Sequence, residues 1–308
     1  MSAPLYIDIA DAPSGGAAYW VNTPDGKRIR FAVWTSGARG TVLIFPGRTE
    51  YIEKYGRVVS ELARRGFSAL VIDWRGQGLS TRPNDTTDLG HVGNFSEYQT
   101  DLDAVLAHPA TQDLPTPHVL LTHSMGGCIG LRALHRGLDV KAAIFSAPMW
   151  RIGLKTSVYA VARVMSAGYS LIGRGMTHAT EIGPGHYVSD QGFEGNVLTN
   201  DPETYQWFRS HLKAHPELGL GGPSLGWAHA AFRETEALAT LPAPHPILTF
   251  LGDEENIVSP KGVTRYMAKP GAGKLVTFPN AQHEIFMETG PVQARAWSEI
   301  DAWLADRL

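Results

Sequence analysis

Residues 120–127 contain the serine that is best placed in this chain to act as a nucleophile. Apolar residues lead into Ser124, and Gly126 and Gly127 follow it where a helical pattern begins. A sharp turn from strand to helix exposes a serine hydroxyl above a sheet and points the first helical N–H groups at the group that the serine attacks. An ordinary helix-capping serine is the alternative. The apolar strand that feeds into the turn favours the nucleophile.

Thr122 departs from the usual pattern of such a turn, which has glycine two residues before the serine. A β-branched side chain is crowded at that position. We therefore expect either a slightly opened turn or small residues around Thr122.

A serine nucleophile needs a base, and the base needs an acid that orients it. His283 is the candidate base because it follows a late predicted strand and precedes the last predicted helix. Three carboxylates lie earlier, in residues 252–258. Glu255 is the predicted acid, since it is third after the strand-ending glycine and apolar residues that can anchor the loop follow it. Asp253 is the alternative, and Glu254 is expected to face solvent.

The loop of residues 45–51 is the candidate source of an oxyanion-binding N–H group. Gly47 allows a close turn, so that the backbone N–H of Arg48 can point inward beside the N–H of Met125. The alternative is a plain strand-to-helix turn with Glu50 near the start of the helix.

Other reactive side chains have more ordinary interpretations. His211 and His215 have a spacing that can bind metal, but no acid lies suitably between them, and solvated helix residues are expected. His123 is interpreted as structural, and His91 could border the site without a clear partner. The single cysteine, Cys128, is expected to pack on the helix after Ser124 and excludes an intrachain disulfide. The sequence predicts neither a metal nor a cofactor.

Short apolar runs alternate with helical patterns, which is typical of a mostly parallel sheet flanked by helices. The predicted strands cover residues 29–34, 41–45, 67–72, 119–122, 140–145, 246–251 and 275–278. From residue 150 to 241 the pattern is helical and aromatic, divided by Gly183, Pro184 and Gly185 and by residues 219–223. We predict a core of residues 1–149 and 242–308 with a helical lid inserted at 150–241.

Composition excludes several classes of protein. The 308 residues are 43% hydrophobic and 19% charged, with a net charge of -3, which offers no basic surface for nucleic acid. No signal peptide is recognised, and no apolar run reaches the about 18 residues of a membrane span. These features predict a cytoplasmic protein and leave open peripheral contact with the inner face of a membrane. Oligomeric state is not predicted.

Together these motifs resemble the α/β-hydrolase fold, in the branch of bacterial lysophospholipases and monoacylglycerol lipases. The resemblance covers almost the whole chain outside the lid. It rests on residues 46–51, 73–80 and 123–127, the Glu255 loop and His283. It implies that residues 73–80 form a structural loop below the site. The Pro-Gly-Arg form of residues 46–48 is more similar to the lysophospholipases, and Glu255 stands where many relatives have aspartate.

The resemblance and the candidate residues imply acyl transfer to Ser124 followed by hydrolysis of a lipid-like carboxylic ester. Aromatic and methionine side chains of the lid, among them Met149, Met165 and Met176, would line an acyl pocket or form the lid's own core. An esterase or peptidase acting on small substrates is the alternative enzyme. A non-catalytic, hydrolase-like binding protein is the alternative of another class.

The side chain of Arg48 suggests a more specific hypothesis. Its guanidinium could lie near the mouth of the site and bind a substrate phosphate. The alternative is an ion pair with Glu50 or another local acid. The sequence leaves the head group and the acyl chain length open.

Overall fold

The central feature of the computed structural model is one mixed sheet. The structure describes residues 1–83, 89–179 and 187–308. Within these ranges the strands are β1 (Ser2–Ala3), β2 (Ala17–Asn22), β3 (Arg28–Trp34), β4 (Thr41–Phe45), β5 (Ser68–Asp73), β6 (His118–His123), β7 (Ala142–Ser146), β8 (Ile247–Gly252) and β9 (Gly273–Phe278). Their spatial order is β1-β2-β3-β5-β4-β6-β7-β8-β9. From β5 to β9 all neighbours pair in parallel, so the expected mostly parallel sheet is confirmed.

Helices cover both faces of this sheet. In the described ranges they are α1 (Ile7–Ala10), α2 (Gly56–Arg64), α3 (Ser96–Leu106), α4 (Pro109–Gln112), α5 (Met125–His135), α6 (Thr156–Leu171), α7 (Tyr187–Asp190), α8 (Pro202–Ala214), α9 (Leu225–Thr240), α10 (Pro260–Met267) and α11 (Gly290–Ala305). Short 3-10 helices lie at Ile52–Tyr55, Pro216–Leu218 and Ile285–Met287.

The central strands are buried on both faces, as expected when helices cover a parallel sheet. In β4, Leu43 and Phe45 belong to one apolar cluster, whereas Val42 and Ile44 belong to the cluster on the opposite face. This alternation follows from the two-residue period of a strand. It leaves the carboxyl edge of the sheet as the place where polar side chains can project.

Four strands deliver the candidate site residues to that edge. β4 leads into the loop of Arg48, β6 into Ser124, β8 into the loop of Glu255 and β9 into the segment of His283. Because these strands are parallel, their carboxyl ends meet at one edge of the sheet. The topology therefore gathers residues that are far apart in the chain.

The segment between β7 and β8 contains helices α6 to α9 and no strand in its described part. The predicted break at Gly183, Pro184 and Gly185 lies outside the described residues. Helix α6 exposes several apolar side chains, whose exposed fractions are Val158 49%, Val161 58%, Val164 69%, Met165 49% and Leu171 86%. Among the described helices, none is long and apolar enough to cross a membrane.

Candidate active site

Ser124 occupies a strained turn between β6 and α5. Its φ of 50° and ψ of -117° lie in a region that L residues rarely adopt. The turn is tight, since a Cβ atom at Gly126 would lie 1.9 Å from the carbonyl oxygen of Phe45. Ser124 is buried apart from 8% of its surface and borders a cavity. Strain of this kind concentrates at functional sites.

The structure explains how the turn tolerates Thr122. The side chain of Thr122 is fully buried, and its Cγ2 would lie 2.6 Å from a Cβ atom at Gly130 on α5. Gly130 therefore leaves the space that the methyl group fills. Of the two arrangements expected from the sequence, the small neighbour is found: Gly130, six residues after the serine.

His283 and Glu255 are hydrogen-bonded to each other. The Nδ1 atom of His283 lies 2.6 Å from Oε2 of Glu255. The other oxygen of Glu255 accepts from the backbone N–H groups of Ile257 and Val258, at 2.6 and 3.0 Å. Burial alone would raise the pKa of Glu255, but the charge and hydrogen bonds of His283 and the two N–H groups lower it. The carboxylate is thus fixed and ionised, as the expected role requires.

The rival carboxylates of this loop lie elsewhere. Asp253 and Glu254 are exposed, and Glu254 accepts a hydrogen bond from Nδ2 of Asn200. The structure therefore brings Glu255, rather than Asp253, to His283.

Ser124 and His283 line the same cavity of about 360 Å³. The described residues contain no hydrogen bond between the two side chains. Such bonds are often long before substrate binds and tighten in the complex. Within the described residues, therefore, the nucleophile candidate and the base candidate share one chamber.

The backbone N–H groups of Arg48 and Met125 are available to a ligand. In the described part of the chain neither N–H donates to a protein acceptor, and both residues border the cavity. The loop of Arg48 is held from several sides. Glu50 accepts from the N–H of Gly47, and Nε2 of Gln77 donates to the carbonyl of Gly47 at 2.7 Å. Gln77 thus links residues 73–80 to the loop of Arg48, which agrees with their expected structural role.

A buried ion cluster of four residues lines part of the cavity: Glu50, Lys54, His123 and Glu284. The ammonium group of Lys54 lies 2.6 Å from a carboxylate oxygen of Glu50 and 2.6 Å from one of Glu284. His123 Nε2 lies 3.3 Å from the other oxygen of Glu284. Lys54 thereby joins the loop of Arg48 to the residue that follows His283.

Each charge in the ion cluster shifts the pKa values of its neighbours. Burial alone would raise the pKa of Glu284, but Lys54 and His123 lower it well below its ordinary value. Burial alone would lower the pKa values of Lys54 and His123, but the two carboxylates raise both. We did not predict this cluster. The four-residue spacing of Glu50 and Lys54, near the start of a predicted helix, is a sequence signal for the ion pair between these two residues.

The ion cluster is also the candidate metal site within the described residues. Glu50, His123 and Glu284 each offer one ligand atom, and these atoms lie within 4.8 Å of one another. Lys54 already supplies a cation to both carboxylates.

The side chain of Arg48 makes no ion pair with a described residue, so the predicted pairing with Glu50 is not found. Its Nη2 donates to the carbonyl of Gly221 at 2.6 Å, and its guanidinium lies 5.4 Å from the ring centre of Trp227. Glu50 is instead bonded to Lys54 and to the hydroxyl of Tyr55.

The other histidines are distributed differently from the expectation. His211 is fully buried, so the prediction that it is solvated is wrong; it packs against Trp207 with ring centres 4.3 Å apart. His215 is bonded to Asp8 at 3.1 Å. His91 has a partner after all, Ser224, at 2.7 Å.

The structure also places the cysteine and the three methionines named in the sequence analysis. Cys128 is buried on α5, as expected. Met149 lines the cavity, whereas Met165 is exposed and Met176 is not among the lining residues.

Comparison with solved structures identifies the fold. The chain superposes on a soluble variant of monoglyceride lipase from Saccharomyces cerevisiae, in complex with a substrate analogue, with a TM-score of 0.75. The superposition covers 97% of this chain and 98% of that one at 20% identity. The structure therefore has the α/β-hydrolase fold that the motifs implied.

Residues 36–290 match the family model Hydrolase_4, described as serine aminopeptidase, S33, and the chain belongs to that family. It is 28% identical over 265 residues to lysophospholipase L2 of Escherichia coli strain K12, covering 83% of this chain and 77% of that protein. It is 23% identical over 295 residues to the monoacylglycerol lipase of Mycolicibacterium smegmatis, covering 92% and 95%. These relatives confirm the resemblance stated above.

Proposed function

We propose that this protein hydrolyses carboxylic esters of lipid-like substrates, lysophospholipid or monoacylglycerol, through an acyl-enzyme at Ser124. The observation that carries the proposal is the buried His283–Glu255 hydrogen bond, at 2.6 Å, in the same cavity as the strained serine. Two relatives are named for action on such lipids, lysophospholipase L2 and monoacylglycerol lipase, and they support the substrate class.

Each residue has one step in the proposed reaction. His283 takes the proton of Ser124 as the hydroxyl oxygen attacks the ester carbonyl, and then gives it to the leaving alcohol. The N–H groups of Arg48 and Met125 bind the oxyanion, each contributing about 3–4 kcal/mol to lowering the barrier. Glu255 holds the imidazole in its productive tautomer. A water molecule, deprotonated by His283, then releases the fatty acid.

The walls of the cavity suit an acyl chain. Apolar side chains from the segment between β7 and β8 line it, including Val188, Leu198, Phe208, Leu212 and Trp227. Pockets for apolar ligands have such linings, with a few polar groups that fix orientation. We propose that residues 150–241 act as the lid of the site.

Helix α6 supports peripheral contact with a lipid surface. Its exposed apolar side chains, such as Val161 and Val164, occur in a segment without acidic residues, and the exposed Lys155 and Arg174 flank it. An apolar face bordered by basic residues favours an anionic lipid surface. Val161→Glu with Val164→Glu should weaken flotation with anionic vesicles, whereas Ile7→Glu, at an exposed apolar residue of α1, should not.

Substrate profiling tests the proposed function. The wild-type protein should hydrolyse long-chain monoacylglycerol and lysophospholipid faster than short p-nitrophenyl esters or aminoacyl amides. Ser124→Ala should lose on the order of 10⁶ in kcat, a loss typical of removing a serine nucleophile. A fluorophosphonate probe should label wild type at Ser124. A folded, unlabelled wild type would favour a binding protein, and a preference for amides would favour a peptidase.

The proposed acid has a matched control in the same loop. Glu255→Gln should lower kcat by about 10⁴, because the imidazole loses its orienting carboxylate. Asp253→Asn should stay near wild type, since Asp253 is exposed and lies outside the hydrogen-bonded set. Loss of activity in the Asp253 variant alone would reverse this assignment.

A further inference from the structure

The guanidinium of Arg48 has N–H donors for which the described part of the chain provides no acceptor. Its Nε atom is buried and has no hydrogen-bond partner among the described residues. In the described ranges, Nη2 alone of its nitrogen atoms donates a hydrogen bond, to the carbonyl of Gly221 at 2.6 Å. The group is held close to the chain, because a Cβ atom at Gly90 would lie 2.5 Å from Nη2. The guanidinium is therefore fixed in place with donating capacity unused.

Among the described residues that line the cavity, no carboxylate is left to neutralise Arg48. The acidic lining residues are Glu50, which is bonded to Lys54, and Glu284, which is bonded to both Lys54 and His123. Burial lowers the pKa of Arg48 to about 10, so the group is still charged at neutral pH. A buried charge of this kind is costly unless an opposite charge meets it.

A second arginine adds to the positive charge. Arg82 donates to the backbone carbonyls of Gly78 and Gly219 at 2.7 and 2.9 Å, and makes no ion pair with a described residue. It reaches the turn at residues 219–221, which Arg48 also contacts. Two cations thus approach the same turn at the cavity wall, and backbone carbonyls alone are seen to accept from them in the described part of the chain.

We propose that the Arg48 guanidinium forms an anion subsite that binds the phosphate of a lysophospholipid during ester cleavage. This inference rests on the proposed function. The backbone N–H of Arg48 is the proposed oxyanion donor, so one residue would hold the ester with its main chain and the phosphate with its side chain. Glycerol separates those two groups in the substrate. Arginine suits this task because its planar donors match phosphate oxygens in pairs.

The test compares two substrates with the same acyl chain, lysophosphatidic acid and monoacylglycerol. Because Arg48 belongs to the oxyanion loop, Arg48→Gln is expected to slow both. The informative quantity is the ratio of the two kcat/KM values. That ratio should fall roughly 10- to 100-fold in Arg48→Gln, the loss expected for charge-assisted hydrogen bonds. Arg48→Lys should retain part of the selectivity, since it keeps the charge.

A control variant separates the subsite from general damage to the loop. Thr49→Ala alters the same loop, at a residue whose φ is 68°, and should leave the ratio unchanged. An unchanged ratio in Arg48→Gln would overturn the subsite and leave ester hydrolysis standing. Failure of the wild type to cleave either lipid would instead count against the proposed function.

A binding measurement decides the subsite independently of turnover. Dodecyl phosphate should bind the Ser124→Ala protein in calorimetry at least 10-fold more tightly than dodecanol, and Arg48→Gln in that background should remove the difference. Inorganic phosphate alone should bind much more weakly than dodecyl phosphate. Equal binding of inorganic phosphate would indicate a site for the free ion and overturn the lipid assignment, as would a difference that survives in Arg48→Gln.

Discussion

Lys54 and Arg48 are two cations beside one cavity, and their surroundings are opposite. Lys54 meets two carboxylates at 2.6 Å each, which raise its pKa against the effect of burial. Arg48 meets a carbonyl and an aromatic ring, and burial lowers its pKa to about 10. The chain supplies the counter-charges of the first cation and, within the described residues, none for the second.

The difference separates a cation that stabilises the fold from one that is available to a ligand. A buried charge is tolerated when its partners are built into the protein. A charge whose partners are missing imposes a cost on the free protein that a bound anion can offset. Buried polar groups that lack a partner in the protein occur most often at functional sites. The comparison predicts that stability depends on Lys54 and ligand selectivity on Arg48.

The largest effect should come from breaking the paired cation. Lys54→Met leaves Glu50 and Glu284 facing each other without their shared ammonium group. We expect the free energy of unfolding to fall by about 3–5 kcal/mol, measured by urea denaturation. Arg48→Met should change it by less than about 1 kcal/mol, because no carboxylate of the described residues loses its counter-charge. Similar losses in the two variants would remove the distinction.

The next effect tests the unpaired cation through ligand linkage. In the Ser124→Ala background, dodecyl phosphate at 100 times its dissociation constant should raise the free energy of unfolding by about 2.7 kcal/mol. At the same concentration, Arg48→Gln should lose most of that stabilisation, because the ligand then binds the native state more weakly. Thermal unfolding with and without the amphiphile measures both values. Equal stabilisation of the two proteins would contradict a ligand-facing role.

Much of this arrangement could be predicted from sequence because it depends on local patterns. The turn at Ser124, the glycines after it and the order of serine, acid and histidine follow from strand and helix signals. The carboxyl edge of a parallel sheet then brings their side chains together. The prediction of Glu255 over Asp253 agrees with the geometry, since Glu255 alone of the loop's three acids is buried.

What could not be predicted depends on contacts between distant segments. Lys54 and Glu284 are 230 residues apart, and no local pattern pairs them. The sequence predicts that His211 is a solvated helix residue because no acid lies suitably between it and His215, yet tertiary packing buries it. The side-chain partners of Arg48 could not be predicted for the same reason. A neighbouring Glu50 suggested an ion pair, but the turn directs that carboxylate toward Lys54 and Tyr55.

The ion cluster predicts a pH dependence of stability. The lowered pKa of Glu284 means that its contribution is full above the ordinary glutamate value and is lost as pH falls toward the lowered one. The raised pKa of His123 means that its contribution is full below the ordinary histidine value and is lost as pH rises through the raised one. The cluster should therefore stabilise the fold most between about pH 4.5 and 6.5.

Glu284→Gln should weaken both limbs of that profile. It removes the titrating carboxylate and the largest charge that raises the pKa of His123. We expect the free energy of unfolding to fall by an amount on the order of 2 kcal/mol at pH 6. This loss is smaller than for Lys54→Met because Lys54 still forms its ion pair with Glu50. Urea unfolding at several pH values measures the profile. Arg48→Gln should leave its shape unchanged, and an altered shape would show that the two cations are coupled.

The smallest effect comes from an uncharged contact, between helix α5 and the strand that precedes Ser124, and serves as a baseline for the two charged sites. Gly130→Ala would ordinarily favour a helix by about 1 kcal/mol. Here the new Cβ atom would meet Cγ2 of Thr122 at 2.6 Å, so we expect a net loss of about 1–2 kcal/mol. Thr122→Ser removes that methyl group, and the double variant should recover about 1 kcal/mol relative to additivity in a double-mutant cycle.

The coupling between Gly130 and Thr122 is steric, so it should be insensitive to pH. The cost of Glu284→Gln, in contrast, should vary with pH. A steric coupling that changed with pH would mean that the ion cluster also affects the conformation of the turn at Ser124. The stabilising role of Lys54 could then not be treated as independent of the ligand site.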